Sequence, residues 1–221
     1  VPVAVDFGLC GACWRETAFI GGLVCDLCGL PLPGDDGGTV ELCDDCLTIA
    51  RPWQRGRAAV LYKGKGRDMV LALKHGDRLD LARPMGDWLA RALAPLIVPG
   101  MVVAPVPLHR LRLLRRRFNQ SALLARRVAL LHSLDLCPDL LWRTRATESQ
   151  DGRGRDDRFR NLQGAIAVHP GRAGRIRGRS VLLVDDVMTS GATLAAATDA
   201  CLASGAVRVC VAVMARVAKD T

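Results

Sequence analysis

The sequence predicts an α/β fold, a doubly wound and mainly parallel sheet, with a small cysteine-held module at its N-terminal end. Three observations predict it. Short apolar runs alternate with helix-like segments through residues 101–215, the order that builds βαβ units. The run Val181-Leu182-Leu183-Val184 has no polar alternation, as a strand covered on both faces requires. Six of the nine cysteines fall into three Cys-x-x-Cys pairs, all before residue 47.

With 221 residues, 50% of them hydrophobic, the chain can form one large domain or a medium domain plus a small one, and disorder is not expected. The expected division is a cysteine module over residues 1–52 and the sheet domain over residues 53–221. Pro and Gly cut the longest apolar runs, as between Ala94 and Pro107, and none reaches membrane-spanning length. Val1 to Leu9 has neither the basic start nor the apolar core of a signal peptide. A cytoplasmic protein without membrane insertion is therefore expected. Because the chain opens on Val1 rather than Met, it is also expected to have been trimmed or to begin inside the native protein. The net charge of +9 is carried mostly by Arg. It suits a polyanion such as nucleic acid and equally a small phosphate-rich ligand, and does not choose between them.

The pairs Cys10/Cys13, Cys25/Cys28 and Cys43/Cys46 have the spacing that brings two sulfurs onto one tetrahedral ion, and two such pairs complete a structural zinc site. Disulfides would need an oxidising compartment that nothing in the sequence suggests, and three repeats of the spacing do not resemble a single redox motif. Six thiols fill one four-ligand site and leave a pair over. We expect Cys25, Cys28, Cys43 and Cys46 to share an ion, with Cys10 and Cys13 awaiting partners upstream of Val1; pairing Cys10/Cys13 with Cys25/Cys28 is the alternative. A segment this short, with glycines between Gly34 and Gly38, buries little apolar surface and would depend on metal to fold. Such a module either braces its neighbour or reads nucleic acid. Cys137, Cys201 and Cys210 sit in apolar surroundings and read as core.

From Arg51-Pro52-Trp53, a linker, the elements follow in order. Ala58 to Tyr62 reads as a strand, and Gly66 to Lys74 as a helix closed by Lys74-His75-Gly76-Asp77. That tetrad is either a helix C-cap or a cation facing phosphates. Residues 83–97 have amphipathic spacing with Trp88, Leu89 and Leu93 inward, disturbed at Pro95. Met101 to Ala104 is a buried strand leading to Pro105-Val106-Pro107-Leu108, a stiff turn where open α/β sheets place ligands. Arg110, Arg112, Arg115, Arg116 and Arg117 follow, and could grip pyrophosphate, track a nucleic-acid backbone or simply be solvated. Asn119 is the expected N-cap of a helix over Ser121 to Leu131. Arg143 to Gly164 loses periodicity and reads as a surface loop or a lid, with Thr147, Ser149 and Gln150 at its tip. Leu162 to Val168 is a possible strand, Arg172 to Arg179 a basic turn, and Val207 to Ala215 the last strand.

The chemistry concentrates after Val184. Asp185 and Asp186 stand where the strand is expected to end, followed by Thr189-Ser190-Gly191-Ala192-Thr193 and a helix from Leu194. A Thr/Ser/Gly turn into a helix aims N–H groups and hydroxyls at one point, which suits a phosphate. Paired carboxylates accept hydrogen bonds from a ribose diol. In this order, without insertion, the residues resemble the signature of type I phosphoribosyltransferases, which bind phosphoribosyl pyrophosphate (PRPP).

The chain as a whole resembles the ComF (ComFC-type) competence protein family. The resemblance rests on the cysteine pairs with Cys28-Gly29-x-Pro31-Leu32-Pro33, on Leu73-Lys74-His75-Gly76-Asp77, on Pro105 to His109, on Arg117-Phe118-Asn119-Gln120 and on Leu182 to Thr193. It implies a double zinc ribbon fused to a type I phosphoribosyltransferase domain, and a link to natural transformation and incoming single-stranded DNA. By similarity, Asp185 and Asp186 contact the ribose hydroxyls directly or through Mg²⁺, Thr189 to Thr193 cradle the 5-phosphate, and Pro105 to Leu108 meet the pyrophosphate. Thr147 and Gln150 keep the lid's Thr…Gln pattern. The family usually carries four cysteine pairs, whereas this chain shows three, which bears on metal at Cys10 and Cys13. The resemblance supplies no acceptor. Three readings therefore compete: an enzyme, a DNA-handling module with Trp14, Trp53 or Phe118 free to stack on bases, and a scaffold for another competence protein.

Overall fold

The computed structural model describes residues 8–75, 78–108, 118–145, 162 and 164–218. Among the described residues seven strands are formed: β1 (Arg55–Leu61), β2 (Val102–Pro105), β3 (Asp135–Leu136), β4 (Leu141–Arg143), β5 (Ile166–Val168), β6 (Ser180–Met188) and β7 (Arg208–Arg216). Five pair in parallel in the order β1-β7-β6-β2-β3, which places the expected organising strand, β6, at the centre. The α/β class and the mainly parallel sheet are as expected.

Alternation along the central strands sorts the core into two layers. Leu182 and Val184 pack with Val103, Cys210 and Ala212 on one side, Val181 and Leu183 with Ala104, Val211 and Val213 on the other. Among the described residues two short ribbon helices, α1 (Gly11–Arg15) and α2 (Asp44–Thr48), precede four longer ones: α3 (Gly64–His75), α4 (Ala82–Leu93), α5 (Gln120–Leu131) and α6 (Ala192–Ala203). Val70, Leu89, Leu93, Leu124 and Val128 bring α3, α4 and α5 onto the first face, and Leu194, Ala197 and Cys201 bring α6 onto the second. The sheet is therefore covered on both sides, as near-continuous Val and Leu runs demand. Asn119 caps α5 as expected, accepting from Ser121 N. No helix among the described residues is long and apolar enough to cross a membrane.

Three expectations are corrected. β1 begins at Arg55, because polar residues on this edge strand find partners in the cysteine module: Asp26 binds both Arg55 and Arg57 at 2.8 Å. Burial opposes ionisation of Asp26, yet the two guanidiniums hold its pKa below the usual value. Ile166–Val168 does not join the main sheet but pairs antiparallel with Leu141–Arg143 as a separate ribbon. Trp53 is buried and Trp14 half-buried, so neither stands free to stack on a base. Trp14 packs in an aromatic cluster with Phe19 and Trp88, and Trp53 is 2% exposed with Nε1 donating to Leu27 O.

The module is seated on the sheet rather than tethered to it. Ile20 N donates to Ala59 O and Leu61 N to Ala18 O, so its backbone covers the β1 edge that would otherwise be open. A Cβ at Gly56 would lie 2.3 Å from Leu27 O, so only glycine permits this approach.

Candidate functional site

β2 accompanies β6 only as far as the Pro105–Val184 pair. Beyond it β6 continues beside β7 through Met188, so Asp185 and Asp186 lie inside the strand and not after it. This is a further correction, and its cause is the continuing ladder to β7. On the β2 side the sheet opens into a crevice at the strands' carboxyl ends, where ligands of open α/β sheets bind.

Asp185 Oδ1 accepts from Ser121 Oγ and from Asp186 N, each at 2.9 Å. Burial, and then the charge of Asp186, push its pKa up to about 7. Asp186 pairs with Lys74 Nζ at 3.1 Å. Lys74 thus serves both expected roles in part: it ends α3, and its cation stands in the site, on a carboxylate.

The turn after β6 is Thr189-Ser190-Gly191, and Gly191, at φ +83°, is the N-cap of α6. Asp185, Val187 and Met188 line a cleft with Thr189 to Leu194. Three successive carbonyls of this turn are held by guanidiniums. Arg216 Nη1 donates to Met188 O (3.2 Å) and Thr189 O (3.0 Å), and Arg51 Nη1 to Ser190 O (2.6 Å). With these carbonyls bonded to the body of the protein, the turn can present N–H groups and hydroxyls to the cleft. Arg216 is 2% exposed. The signal that could have found it is a charge ending a strand that is apolar from Val209 to Ala215; for Ser121 it is Gln120-Ser121, polar and buried at the start of α5.

Gly191 tests this geometry. A Cβ there would meet Arg51 Nη1 at 2.8 Å and the Trp53 ring at 3.0 Å, in a left-handed conformation that L side chains resist. Gly191→Ala is expected to cost about 1–3 kcal/mol, read by urea denaturation. An unchanged midpoint would contradict the close contact.

The neighbouring turn, Pro105 to Leu108, is braced by Asn119 Nδ2 on Val106 O (3.0 Å) and Arg143 Nε on Pro107 O (2.9 Å). The Arg cluster at 110–117, the lid residues Thr147 and Gln150, Ser149, and Gly76-Asp77 lie outside the described residues.

In the cysteine module, Cys25, Cys28, Cys43 and Cys46 are buried with all four sulfurs within 4.8 Å of one another. This is the expected set. The alternative grouping of Cys10/Cys13 with Cys25/Cys28 is not formed, and Cys10 and Cys13 belong to no metal-type cluster among the described residues. Hydrogen bonds from the Cys28 and Cys46 thiols push Cys25 down, while bonds to Cys25 and Cys28, with burial, push Cys46 up. Burial and the charge of Cys28 raise Cys43 to about 11. Four thiolates cannot share this enclosure without a cation. A soft, tetrahedral, buried donor set fits structural zinc.

A parallel sheet with acids on its central strand and a hydroxyl-bearing turn into a helix, carried beside a four-cysteine zinc site, defines a phosphoribosyltransferase-type domain joined to a zinc ribbon. Sequence profiles agree: the double zinc ribbon domain matches residues 1–47 and the phosphoribosyl transferase domain residues 154–221. The chain is 31% identical to the DNA utilization protein YhgH of Escherichia coli K12, over 95% of this chain and 91% of that one. It is 26% identical to Competence protein F of Haemophilus influenzae, over 85% and 81%. The chain belongs to the ComF family. Among solved structures, TT1426 of Thermus thermophilus overlaps 63% of this chain and 85% of its own at 22% identity and a TM-score of 0.39, too loosely to bear on the site.

Proposed function

We propose that the cleft binds PRPP with Mg²⁺ and that the protein is a phosphoribosyltransferase-like member of its family acting in competence and DNA utilization. One observation supports this most: the turn Thr189 to Thr193, its carbonyls tied back, opens beside Asp185 on the same strand. In this reading residues 189–193 receive the 5-phosphate, and Asp185 and Asp186 take the ribose hydroxyls or the metal. Pro105 to Leu108 meet the pyrophosphate, and Thr147 and Gln150 belong to a lid. Residues 1–52 form the ribbon and 53–221 the transferase-like domain, in a cytoplasmic protein. Mg²⁺ would neutralise charge on the departing pyrophosphate. The chain's own contribution is to hold the sugar, orient C1 and exclude water. Transfer would break the bond from C1 to pyrophosphate and form one from C1 to a nitrogen acceptor.

The test is pyrophosphate release from PRPP and Mg²⁺ across a panel of nucleobases, with Asp186→Asn as control. Release with one base, lost in the variant, is expected. Silence across the panel favours a second reading, suggested by the names of the relatives and the charge of +9: a single-stranded DNA module whose PRPP site senses or is a relic. Its DNA affinity would fall steeply with salt. The burial of Trp53 and the packing of half-buried Trp14 on Phe19 and Trp88 weigh against a stacking platform.

A further inference from the structure

The turn that opens on the cleft has its positive charge behind it. Three successive peptide units, those joining Met188 to Gly191, each give their carbonyl to a guanidinium: Met188 O and Thr189 O to Arg216 Nη1, Ser190 O to Arg51 Nη1. The peptides are trans, so their N–H groups, on Thr189, Ser190 and Gly191, point away from those carbonyls. Among the described residues these three N–H groups bond nothing. All three residues line the cleft, and a row of unpartnered main-chain donors in a concave place is an anion site.

The two guanidiniums lack a counter-charge. Arg216 is 2% exposed, and its Nη1 also meets Val217 O. Arg51 lies over the Trp53 ring, 5.2 Å from the centroid, with Nε and Nη2 buried. Among the described residues neither pairs with a carboxylate, whereas Arg55 and Arg57 share Asp26 and Arg127 meets Asp87. The acids of the site are engaged elsewhere: Asp185 with Ser121 Oγ and Asp186 N, Asp186 with Lys74. Cations held largely out of water without an anion are costly in the empty protein. Their field is weakly screened there, and it polarises the same peptides whose N–H groups are free.

We propose that Arg51 and Arg216 are positioning residues that make the turn selective for a dianionic phosphoryl group. They orient the peptides between Met188 and Gly191 so that the N–H groups face the ligand, and their two charges are balanced only when a phosphate monoester dianion fills the cleft. The ligand class follows from the charge. A sulfate ester has the same tetrahedral shape but a single charge, and leaves one cation uncompensated. The inference rests on the PRPP reading for the identity of the group, the 5-phosphate, but the charge preference can be measured without PRPP.

The experiment titrates the full zinc-loaded chain by calorimetry at pH 8 with two probes, ribose 5-phosphate and ribose 5-sulfate. At that pH the phosphate ester, with a second pKa of about 6, is a dianion. The parent should bind it about tenfold more tightly than the sulfate, or better. Each cation acts on two charges in one probe and on one in the other. Arg216→Met and Arg51→Met should therefore each bring the ratio down to about threefold or less, and Arg216→Lys, which keeps the charge, should restore it. Arg208→Met is the control: its guanidinium begins β7, where Arg216 ends it, and donates to Leu96 O, so the ratio should not move. Circular dichroism confirms that each variant is folded; if Arg216→Met is not, Arg51→Met decides. Equal binding of the two esters by the parent, equal loss of both in the variants, or as large a fall in Arg208→Met overturns the inference. PRPP with Mg²⁺ is titrated last. If the ratios behave as expected but PRPP binds no more tightly than ribose 5-phosphate, the PRPP reading fails and the charge preference stands. Tight PRPP binding with unmoved ratios does the reverse.

Discussion

Asp185→Asn is expected to make the ligand-free protein more stable at pH 7 while abolishing its stabilisation by PRPP and Mg²⁺. Burial and the neighbouring Asp186 raise the pKa of Asp185 from 3.8 to about 7. Between those values the folded protein holds a proton that the unfolded chain has lost. Stability therefore falls as pH rises through this window, and the penalty is complete above pH 7. The shift sets a ceiling of about 4 kcal/mol; relaxation and coupling to Asp186 reduce the expected gain to about 2 kcal/mol, or roughly 4–8 °C in Tm. An amide oxygen can still accept from Ser121 Oγ and Asp186 N, so these two donors keep their acceptor. Melting from pH 5 to 8 should slope downward in the parent and run nearly flat in the variant. Asp186→Asn should go the other way, because the mostly buried Lys74 ammonium loses its partner at 3.1 Å. Equal slopes for parent and Asp185→Asn would contradict the account. A residue that weakens the empty fold and strengthens the occupied one is the expected signature of a site.

Removing zinc is expected to have the larger structural effect. Cys25, Cys28, Cys43 and Cys46 form the centre of the ribbon, which offers little else to bury around them. Zinc sites in modules of this kind contribute about 10 kcal/mol or more of apparent folding free energy. A strong chelator at pH 7, or Cys28→Ser, should unseat the ribbon from β1 and wet Trp53, now 2% exposed and hydrogen-bonded to Leu27 O. Tryptophan emission should move to the red, and zinc but not magnesium should restore it. A stripped protein with unaltered emission would show that the four sulfurs do not hold the module together.

Much of this was legible in the sequence because it depends on local pattern. The run Val181 to Val184 reads as a strand buried on both faces, and it is the centre of the sheet. Asn119 reads as a cap because its side chain serves an amide two residues away. Cys-x-x-Cys spacing marked the four-sulfur cluster. What sequence could not show is long-range. Nothing local says that β6 continues past Asp186, because pairing with β7 sustains it. Nor does anything local say that Arg51 and Arg216, 165 positions apart by their numbering, hold neighbouring carbonyls of one turn. Ser121 reads only as the first residue of a helix until the fold brings it to Asp185. Trp14 and Trp53 look available for stacking because periodicity cannot place an aromatic that sits in a single helical turn or in an irregular segment.

The most direct test is calorimetric titration of the zinc-loaded chain with PRPP, with and without Mg²⁺, beside ribose 5-phosphate and pyrophosphate. The account predicts one site, tightest for PRPP with Mg²⁺, weaker for either fragment and absent in the Asp185→Asn, Asp186→Asn double variant. Heat that is missing for PRPP, or that persists unchanged in the double variant, would contradict it.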